Sequence, residues 1–340
     1  MKRAIQLAKN GQFSVAPNPM VGAVVVHNNK IIGEGFHRAY GEAHAEVNAI
    51  NAVQDQSLLK DSTIYVSLEP CSHHGKTPPC ADLIIEKQLK RVVIANLDPS
   101  DKVSGKGVER LRKAGIEVKS GVLSEEGAEL NHRFFSLHKK HRPYIILKWA
   151  STADGFMGRL ASDPNAADSW ITSQLSKQRV HLWRSQEMGI LVGKQTAITD
   201  NPALTVREVD GKNSIRFLID SELEVPMDSK IYNDEAPTVI LNQKKEGTDK
   251  HLSYLKFEES KLFDCLFSYC REKGIHSLIV EGGKKTLESF ISEGHWDEIR
   301  HFVGSKVFGE GISSPQFDAE LIKVEQIRDD QLFIYKNKRN

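Results

Sequence analysis

Two cysteines that bracket two histidines are the residues of this chain whose types and spacing most directly predict chemistry. Cys71 and Cys80 lie nine positions apart in the segment EPCSHHGKTPPC, residues 69–80. The pair fits a disulfide, two unrelated buried thiols or a zinc site. A catalytic zinc site needs a third protein ligand and an open position for water. The upstream segment AHAEV (43–47) offers His44 as that ligand.

His44 is followed two positions later by a carboxylate, Glu46. Residues two apart point to opposite sides of a helix, so we do not expect both to bind one ion as neighbours on a helix face. We expect His44 to bind the metal and Glu46 to approach the metal-bound water from another direction. Zinc lowers the pKa of its water to about 7, and a carboxylate that is not a ligand can carry the proton to a leaving amine. A helix predicted to begin at Cys80 favours the thiolate of that residue.

The spacing departs from the general pattern of zinc nucleobase deaminases, which is H-x-E followed by P-C-x-x-C. The chain has HAE at 44–46 and PC at 70–71, but its second cysteine follows nine positions after the first rather than three. On this spacing alone, His73 or His74 remains an alternative to Cys80 as a ligand.

The longer motif resembles a known family. HAEV followed by LEPCSHHGKTPPC, together with PNPMVGAVVV (17–26) and GEGFHRAYGEAHAE (33–46), is similar to the deaminase half of the bifunctional riboflavin-biosynthesis deaminase/reductase. The resemblance covers nearly all of residues 1–145 and implies a cytidine-deaminase-like zinc domain. By this resemblance, His44, Cys71 and Cys80 are the zinc ligands and Glu46 is the proton shuttle.

Two further residues of this half are candidates for substrate contacts. Lys76, on the loop between the cysteines, can contact the phosphate of the family's substrate, with a solvated loop lysine as the alternative. Asn18, in the PNP turn, can hydrogen-bond the pyrimidine ring, with a plain Asx turn as the alternative.

The elements that must position these residues alternate between strand and helix. A predicted hairpin, VGAVVV to IIGEG, precedes a helix at AHAEVNAINAV, and the strands STIYVSL and RVVIANL each precede a helix. The polar, mostly helical segment 124–143 stops at Pro143, where we place the boundary between domains 1–142 and 143–340. A second alternating set opens with YIILKWA, and HFVGSKVFG and QLFIYK look like its closing strands. Both halves are therefore predicted as α/β, each sheet covered by helices.

The second half lacks the usual dinucleotide fingerprint, because no G-x-G-x-x-G follows a predicted strand. LIVEGGKKTLESF (278–290) is a strand, a glycine pair and a helix start, which leaves backbone N–H groups for phosphate. An ordinary strand–helix turn is the alternative. TDNPALTVR (199–207) is a polar loop with Asp200 and Arg207 and is a second candidate for a functional segment. The alternative is a surface loop without such a role.

The segments KWASTADG, DSWIT, HLWRS, LVGKQTAITDNPALTVR, IRFLIDS and VEGG follow the order seen in the reductase half of the same family. That half resembles dihydrofolate reductase in fold and uses NADPH. The resemblance implies cofactor contacts from Ala150, Trp170, Thr196, Asp200, Ser221, Gly282 and Gly283. It implies substrate contacts from Ser169, Arg184, Leu204, Arg207 and Glu281. The guanidinium groups of Arg184 and Arg207 suit a substrate phosphate because they bind it bidentately.

One stretch departs from the family pattern, which has S-x-D-G-[KR] and then Gly-Glu-Ser before the tryptophan. Here Phe156 follows Asp154 and Gly155, and Ala167-Asp168 replaces Gly-Glu. A decayed reductase half is therefore an alternative to an active one.

Composition limits the classes of partner. A chain of 340 residues predicts two domains. With 46 Lys and Arg against 45 Asp and Glu, the net charge is +1, which disfavours binding of a polyanion such as nucleic acid. No apolar run approaches the roughly 20 residues that span a bilayer. The start of the chain does not look like a secretory signal, and four cysteines are too few for a secreted disulfide framework, so we expect a cytoplasmic protein.

We therefore expect a two-step enzyme of riboflavin biosynthesis that uses Zn²⁺ and NADPH. The first half would deaminate a diaminopyrimidinone ribosylamino phosphate, and the second would reduce its ribosyl to a ribityl chain. The expected partner is this small pyrimidine nucleotide, with no nucleic acid and no membrane, and the expected assembly is a homo-oligomer. The alternatives are a tRNA deaminase, which shares the zinc motif, and a non-catalytic zinc-stabilised binding protein.

Overall fold

The structure of the chain, a computed structural model, describes residues 1–12, 14–72, 78–100, 104–160, 162–165 and 168–339. It divides into two compact units, Met1–His141 and Arg142–Asn340. Both units combine sheets with helices, which confirms the predicted α/β class. In the described part of the chain, no helix has both the length and the apolar character needed to cross a bilayer.

The first unit is a mixed sheet with helices around it. Its strands are β1 Gly22–His27, β2 Lys30–Phe36, β3 Thr63–Leu68, β4 Arg91–Asn96 and β5 Glu117–Lys119. Its helices are α1 Lys2–Ala8, α2 Ala45–Asn51, α3 Cys80–Glu86, α4 Lys106–Lys113, α5 Ser124–Leu130 and α6 His132–Lys139. The strand order is β2-β1-β3-β4-β5.

The predicted hairpin opens this sheet. β1 and β2 are antiparallel, and the two residues between them, Asn28 and Asn29, both have positive φ (46° and 61°), as a type I′ turn requires. β3, β4 and β5 are parallel to one another. Parallel strands end at the same edge of a sheet, so the segments that follow Leu68 and Asn96 lie side by side.

Two glycines of β2 let helix α2 approach the sheet closely. A Cβ on Gly33 would lie 2.3 Å from the carbonyl oxygen of Ala49, and one on Gly35 would lie 2.4 Å from the Ala49 nitrogen. Ala45, Ala49 and Ile50 of this helix are fully buried in the core of the unit. The main core residues of this unit are Ala23, Val25, Ala45, Ala49, Ile50, Ile64, Val66, Ile84, Val92, Ile94 and Leu111.

The second unit contains a larger sheet. Its strands are β6 Tyr144–Ser151, β7 Phe156–Gly158, β8 Gly189–Gly193, β9 Ile215–Ile219, β10 Thr238–Asn242, β11 Gly247–Asp249, β12 Leu252–Lys256, β13 Ser277–Val280, β14 Glu298–Val303, β15 Ile312–Ser313, β16 Glu320–Ile327 and β17 Asp330–Lys336. Its helices are α7 Gln174–Gln186, α8 Lys194–Asp200, α9 Leu262–Lys273 and α10 Lys284–Ser292. The main strand order is β11-β12-β10-β9-β8-β13-β6-β14-β17-β16, and β7 pairs with β15.

This sheet is buried on both faces, because its strands contribute alternate residues to two separate cores. In β6, Ile146 belongs to the core that also contains Trp183 of α7, whereas Ile145 belongs to the core that contains Leu266 of α9 and Leu287 of α10. The strands β6, β13, β8, β9 and β10 are mutually parallel. A near-continuous apolar strand such as YIILKWA is typical of that arrangement.

The predicted helical segment 124–143 is broken at Asn131, where α5 gives way to α6. The side chain of Asn131 accepts from the Met20 N–H at 2.8 Å and donates to the Met20 carbonyl at 2.8 Å. These tertiary hydrogen bonds hold Asn131 outside helical geometry.

Three other predictions of secondary structure need correction. The strand predicted at 301–309 ends at Val303, and further along the segment the N–H groups of Phe308 and Gly309 donate to the Asp154 carboxylate at 3.1 and 2.7 Å, not to a neighbouring strand. The loop predicted at 199–207 begins inside α8, which ends at Asp200. Strand β16 was not predicted, because its side chains are mostly exposed and give no alternating pattern.

Candidate functional site

Three predicted ligands converge in the first unit. His44 has extended backbone just before α2, Cys71 lies beyond the end of β3, and Cys80 is the first residue of α3. The Nδ1 atom of His44 lies 3.5 Å from Cys71 Sγ and 3.3 Å from Cys80 Sγ. The three ligand atoms all lie within 4.8 Å of one another.

These atoms fit a zinc ion in chemistry and in spacing. Thiolate sulfur and imidazole nitrogen are the ligands that zinc prefers, and tetrahedral bonds of ordinary length place nitrogen and sulfur about 3.6 Å apart. The Cys80 N–H also donates to Cys71 Sγ at 3.2 Å, which stabilises a thiolate there. His73 and His74, the alternative ligands, lie outside the described residues.

The two cysteine thiols shift each other's pKa in opposite directions. The hydrogen bond from the Cys80 thiol, helped by His44, lowers the pKa of Cys71 to about 4, and the same partner raises the pKa of Cys80 well above its ordinary value. Two thiolates in contact repel each other, so the pair disfavours a second negative charge unless a cation lies between the two sulfurs.

Glu46 is in the first turn of α2 and is almost completely buried, with an exposed fraction of 3%. Burial, and then the charge of Cys71, raise the pKa of Glu46 to about 7. The extended backbone of His44 lets both side chains face one point although they are only two residues apart. The geometry is compatible with the roles predicted from the sequence, a ligand and a separate carboxylate that exchanges protons near neutral pH.

Asn18 is held by a histidine that sequence reasoning missed. His37 Nδ1 lies 3.2 Å from the Ala43 carbonyl, which can only accept, so that nitrogen carries the proton. His37 Nε2 then accepts from Asn18 Nδ2 at 3.0 Å, which fixes the side-chain amide. The His37 ring also packs edge-on against His44, at 5.3 Å between ring centroids. Lys76 lies outside the described residues.

The second unit collects its predicted residues along one edge of the sheet. Several of them lie at or just after the carboxyl ends of the parallel strands β6, β8, β9 and β13: Ala150, Thr196, Ser221, Glu281, Gly282 and Gly283. In open α/β sheets, ligands bind in the crevice outside these strand ends.

The glycine pair shapes one part of that edge. Gly282 has a φ of +118°, which favours glycine, and its carbonyl accepts from the Gly193 N–H at the end of β8 at 3.3 Å. A Cβ on Gly283 would lie 3.0 Å from Thr196 Oγ1, so Thr196 and the pair are neighbours. Asp200, at the end of α8, has its pKa raised by burial.

A buried ion pair joins two of the predicted substrate residues. Arg184 donates through Nε and Nη2 to Glu281 at 2.9 and 2.8 Å. Lys148, a partly buried residue not found from sequence, lies 3.7 Å from the same carboxylate. Burial of Glu281 opposes its ionisation, but the charges of Arg184 and Lys148 hold its pKa at about 2.

Arg207 lies beside this pair. The Nη1 atoms of Arg184 and Arg207 are each 3.5 Å from the Thr205 carbonyl oxygen, so the two guanidinium groups lie close together. The Arg207 N–H donates to His181 Nδ1 at 3.0 Å, which requires an unprotonated nitrogen. Burial, then the two arginine charges, lower the pKa of His181 to about 4.

The remaining predicted residues occupy different environments. Leu204 is buried in the core with a φ of +56°, whereas Trp170 is 57% exposed and donates its indole N–H to the Thr172 carbonyl at 2.6 Å. Ser169, next to Trp170, is exposed. The signals for the missed residues lay inside the quoted motifs: His37 is in GEGFHRAYGEAHAE, Lys148 in KWASTADG and His181 in HLWRS.

The fold and the two sites define a two-domain enzyme, a zinc-binding deaminase domain followed by a reductase domain. Residues 1–96 match the family model of the cytidine and deoxycytidylate deaminase zinc-binding region, and residues 143–337 match that of the RibD C-terminal domain.

Known relatives match both halves together. The riboflavin biosynthesis protein RibD of Aquifex aeolicus is 43% identical over 352 residues, covering 99% of this chain and 97% of the relative. The crystal structure of a diaminohydroxyphosphoribosylaminopyrimidine deaminase/5-amino-6-(5-phosphoribosylamino)uracil reductase from Thermotoga maritima has a TM-score of 0.85 and 37% identity, covering 99% of this chain and 97% of that one. Acinetobacter baumannii RibD has a TM-score of 0.87 and 30% identity, covering 98% and 97%.

The chain belongs to the RibD family of bifunctional riboflavin-biosynthesis enzymes, with a deaminase domain and a reductase domain. The predicted family, fold and two-step function are thereby confirmed. A tRNA deaminase is not favoured, because the relatives match the reductase half as well as the deaminase half.

Proposed function

We propose that His44, Cys71 and Cys80 hold zinc in the first unit and that Glu46 moves the protons of a hydrolytic deamination. The observation that carries this proposal is the convergence of the three ligand atoms beside a buried carboxylate. A closed structural site with four protein ligands would have no use for such a carboxylate.

When bound, zinc supplies a Lewis acid that makes water nucleophilic near neutral pH. Glu46 accepts a proton from the attacking water and later donates it to the departing nitrogen. The water oxygen bonds to the ring carbon, the carbon–nitrogen bond breaks, and ammonia leaves. A pKa of about 7 suits Glu46 to both transfers, because neither protonation state is strongly preferred at neutral pH.

The substrate proposed for this step is the one that the Thermotoga maritima relative is named for, a diaminopyrimidine that carries a ribosylamino phosphate. Asn18 is proposed to bind the pyrimidine ring. Because its Nδ2 donates to His37, its carbonyl oxygen is the atom available to accept from a ring N–H. Lys76 stays a predicted phosphate contact.

In the second unit we propose NADPH as the reductant, held along the carboxyl edge of the parallel strands. When bound, NADPH supplies the hydride that converts the ribosyl group to a ribityl chain. The proposed cofactor contacts are Ala150, Trp170, Thr196, Asp200, Ser221, Gly282 and Gly283. Gly282 and Gly283 suit a closely approaching ligand because they present backbone without side chains, next to the start of α10.

The substrate contacts proposed for this unit are Ser169, Arg184, Leu204, Arg207 and Glu281. Arg184 and Arg207 are suited to the substrate phosphate because both guanidinium groups lie next to the same Thr205 carbonyl and can bind one anion together. Glu281 holds Arg184 in place, which prepares its orientation before the substrate arrives.

The described residues at the start of the stretch that departs from the family pattern are well anchored, which supports an active reductase half. Asp154 accepts from the N–H groups of Phe308 and Gly309, at 3.1 and 2.7 Å. Arg159 pairs with Asp163 at 2.7 Å and lies over the ring of Phe308 at 4.0 Å.

Incubation of the full chain with the diaminopyrimidine substrate tests both steps. We expect ammonia release with zinc alone and a ribityl product only when NADPH is added, both identified by mass. Ammonia without a ribityl product, even when the deaminated substrate is supplied directly, would support the decayed reductase half.

The other proposals concern the cellular location and the oligomeric state. Two reduced thiols that share one site need a reducing compartment, which supports a cytoplasmic location. A homo-oligomer is supported by the outer strand β16, on which Leu321, Ile322 and Val324 are each about half exposed.

A further inference from the structure

We infer that helix α4 holds in place the two chain segments that carry Cys71 and Cys80. Glu69 and Arg110 are the positioning residues through which it does so. The inference rests on the proposed function, because it takes Cys71 and Cys80 as metal ligands. Neither Glu69 nor Arg110 is a ligand itself, and each acts through contacts with residues next to the cysteines.

Glu69 follows β3 directly and is two residues before Cys71. Its carboxylate is buried, with an exposed fraction of 4%. Oε1 accepts from the N–H groups of Gly107 and Val108 at 3.0 and 3.2 Å, and Oε2 accepts from those of Gly105 and Asp98 at 2.9 and 3.2 Å.

These contacts make Glu69 the N-terminal cap of α4, supplied from another element. Gly105, in the N-cap position, has no side chain to cap with, while Gly107 and Val108 are the second and third residues of the helix. A carboxylate is favoured there because it satisfies the unpaired N–H groups and the positive end of the helix. α4 is thereby joined to the backbone that enters Cys71.

The helix also lies directly against that backbone. A Cβ on Gly107 would be 2.2 Å from the carbonyl oxygen of Pro70, so only glycine allows this approach. One turn further, Arg110 donates through Nη1 to the Ser72 carbonyl at 3.2 Å. α4 therefore contacts the chain on both sides of Cys71.

Arg110 also joins α4 to the segment that carries the second cysteine, Cys80. Its Nε lies 2.7 Å from Asp82 Oδ1, in the first turn of the helix that begins with Cys80. The Ala81 N–H donates to the Cys71 carbonyl at 3.1 Å, which joins the two segments from inside. Groups that fix the orientation of metal ligands typically contribute a factor of about 10–100 to metal affinity.

The test measures zinc affinity of the full chain by competition with a chromophoric chelator. We expect about 10–100-fold weaker binding for Glu69→Gln, since an amide cannot accept at both positions. Arg110→Met should weaken binding less, by about three- to tenfold, because its ion pair is partly exposed. Lys113→Met is the matched control: it breaks an exposed pair with Glu109 on the same helix and should leave affinity within about twofold.

Two further measurements separate positioning from general loss of stability. Cobalt(II) in place of zinc should show thiolate charge-transfer and ligand-field bands that shift in Glu69→Gln and Arg110→Met but not in Lys113→Met. Reduction of the deaminated substrate by NADPH reports whether the second unit is intact. If Glu69→Gln does not fold, Arg110→Met carries the test.

The outcomes separate a failure of the proposed zinc site from a failure of the positioning role of α4. Wild-type protein that binds no metal through thiolates would overturn the proposed function itself. If the wild-type protein binds metal through thiolates but Glu69→Gln and Arg110→Met match Lys113→Met in affinity and spectrum, only the positioning role of α4 would be overturned.

Discussion

At the scale of single residues, the deaminase site depends on one carboxylate that is near the metal ligands without being one of them. Replacing Glu46 with Gln keeps the size of the side chain and removes its proton exchange. We expect ammonia release to fall by about 10²–10⁴-fold while zinc content stays at the wild-type level.

The exposed neighbour Glu42 provides a control for Glu46→Gln, and Glu42→Gln should keep activity. Loss of zinc from Glu46→Gln would mean that the carboxylate is a ligand after all.

In the second unit, a buried carboxylate is held charged by two cations, and this gives stability a dependence on pH. The pKa of Glu281 is about 2 in the folded chain against 4.5 ordinarily. A lowered pKa stabilises the folded state above the unfolded value, so this contribution is complete above about pH 4.5 and is lost as pH falls toward 2.

We therefore expect Glu281→Gln to lower the free energy of unfolding by about 3 kcal/mol at pH 7, since Arg184 and Lys148 lose their counter-charge. The difference from wild type should shrink between pH 4.5 and 2, as measured by urea unfolding. Glu222→Gln, which breaks an exposed pair with Lys244, should change stability by less than about 1 kcal/mol at any pH. A pH-independent difference for Glu281→Gln would contradict this account.

At the scale of elements, sequence was informative where local rules decide. The Asn28-Asn29 turn, the helix at Cys80 and the doubly buried strand β6 follow from turn chemistry, helix starts and apolar runs. The break at Asn131 does not, because its hydrogen bonds are made to Met20, far away in the chain.

For the candidate sites too, sequence predicted what depends on local residue types and missed what depends on distant contacts. Residue types predicted a ligand and a separate carboxylate, but the ligand set needed the family resemblance, because spacing alone left His73 and His74 as alternatives. Lys148, His37 and Glu69 were missed because their roles come from contacts between elements distant in sequence.

Helix α2 carries Glu46 and follows His44, and it can approach β2 only because of glycines. We expect Gly35→Ala to destabilise the first unit by about 1–3 kcal/mol, since the new Cβ would meet the helix backbone. Deaminase activity should fall with it, whereas NADPH-dependent reduction of the deaminated substrate should not. Asn51→Ala, at the exposed end of the same helix, is the control. Equal activity in both variants would show that the close approach is dispensable.

At the scale of the whole molecule, the two units have separate hydrophobic cores and separate sites. Removal of zinc by a chelator should therefore abolish ammonia release and leave reduction of the deaminated substrate within about twofold of its original rate, because only deaminase sites require the metal. Re-addition of zinc should restore the first step. Loss of both activities on chelation would contradict independent sites.

The outer strand β16 gives a test of assembly. Pairing of β16 with the same strand of a second copy in antiparallel register, centred on Val324, would place Lys323 opposite Glu325. It would also place Leu321 opposite Ile327. We expect Val324→Lys to lower the oligomeric state in analytical ultracentrifugation, because two lysines would then face each other. Lys323→Arg keeps the charge and should leave the mass unchanged. Equal masses for Val324→Lys and wild type would exclude this edge.

The pairing of Arg184 with Glu281 has a consequence for which anions the reductase pocket admits. Glu281 takes up Nε and Nη2 of Arg184, so an incoming phosphate meets only Nη1 of that side chain and the guanidinium of Arg207. Free orthophosphate or sulfate gains these few contacts alone, whereas a phosphate attached to a larger molecule gains further contacts in the crevice. Common salts should therefore inhibit the reduction much more weakly than a phosphorylated analogue of the substrate.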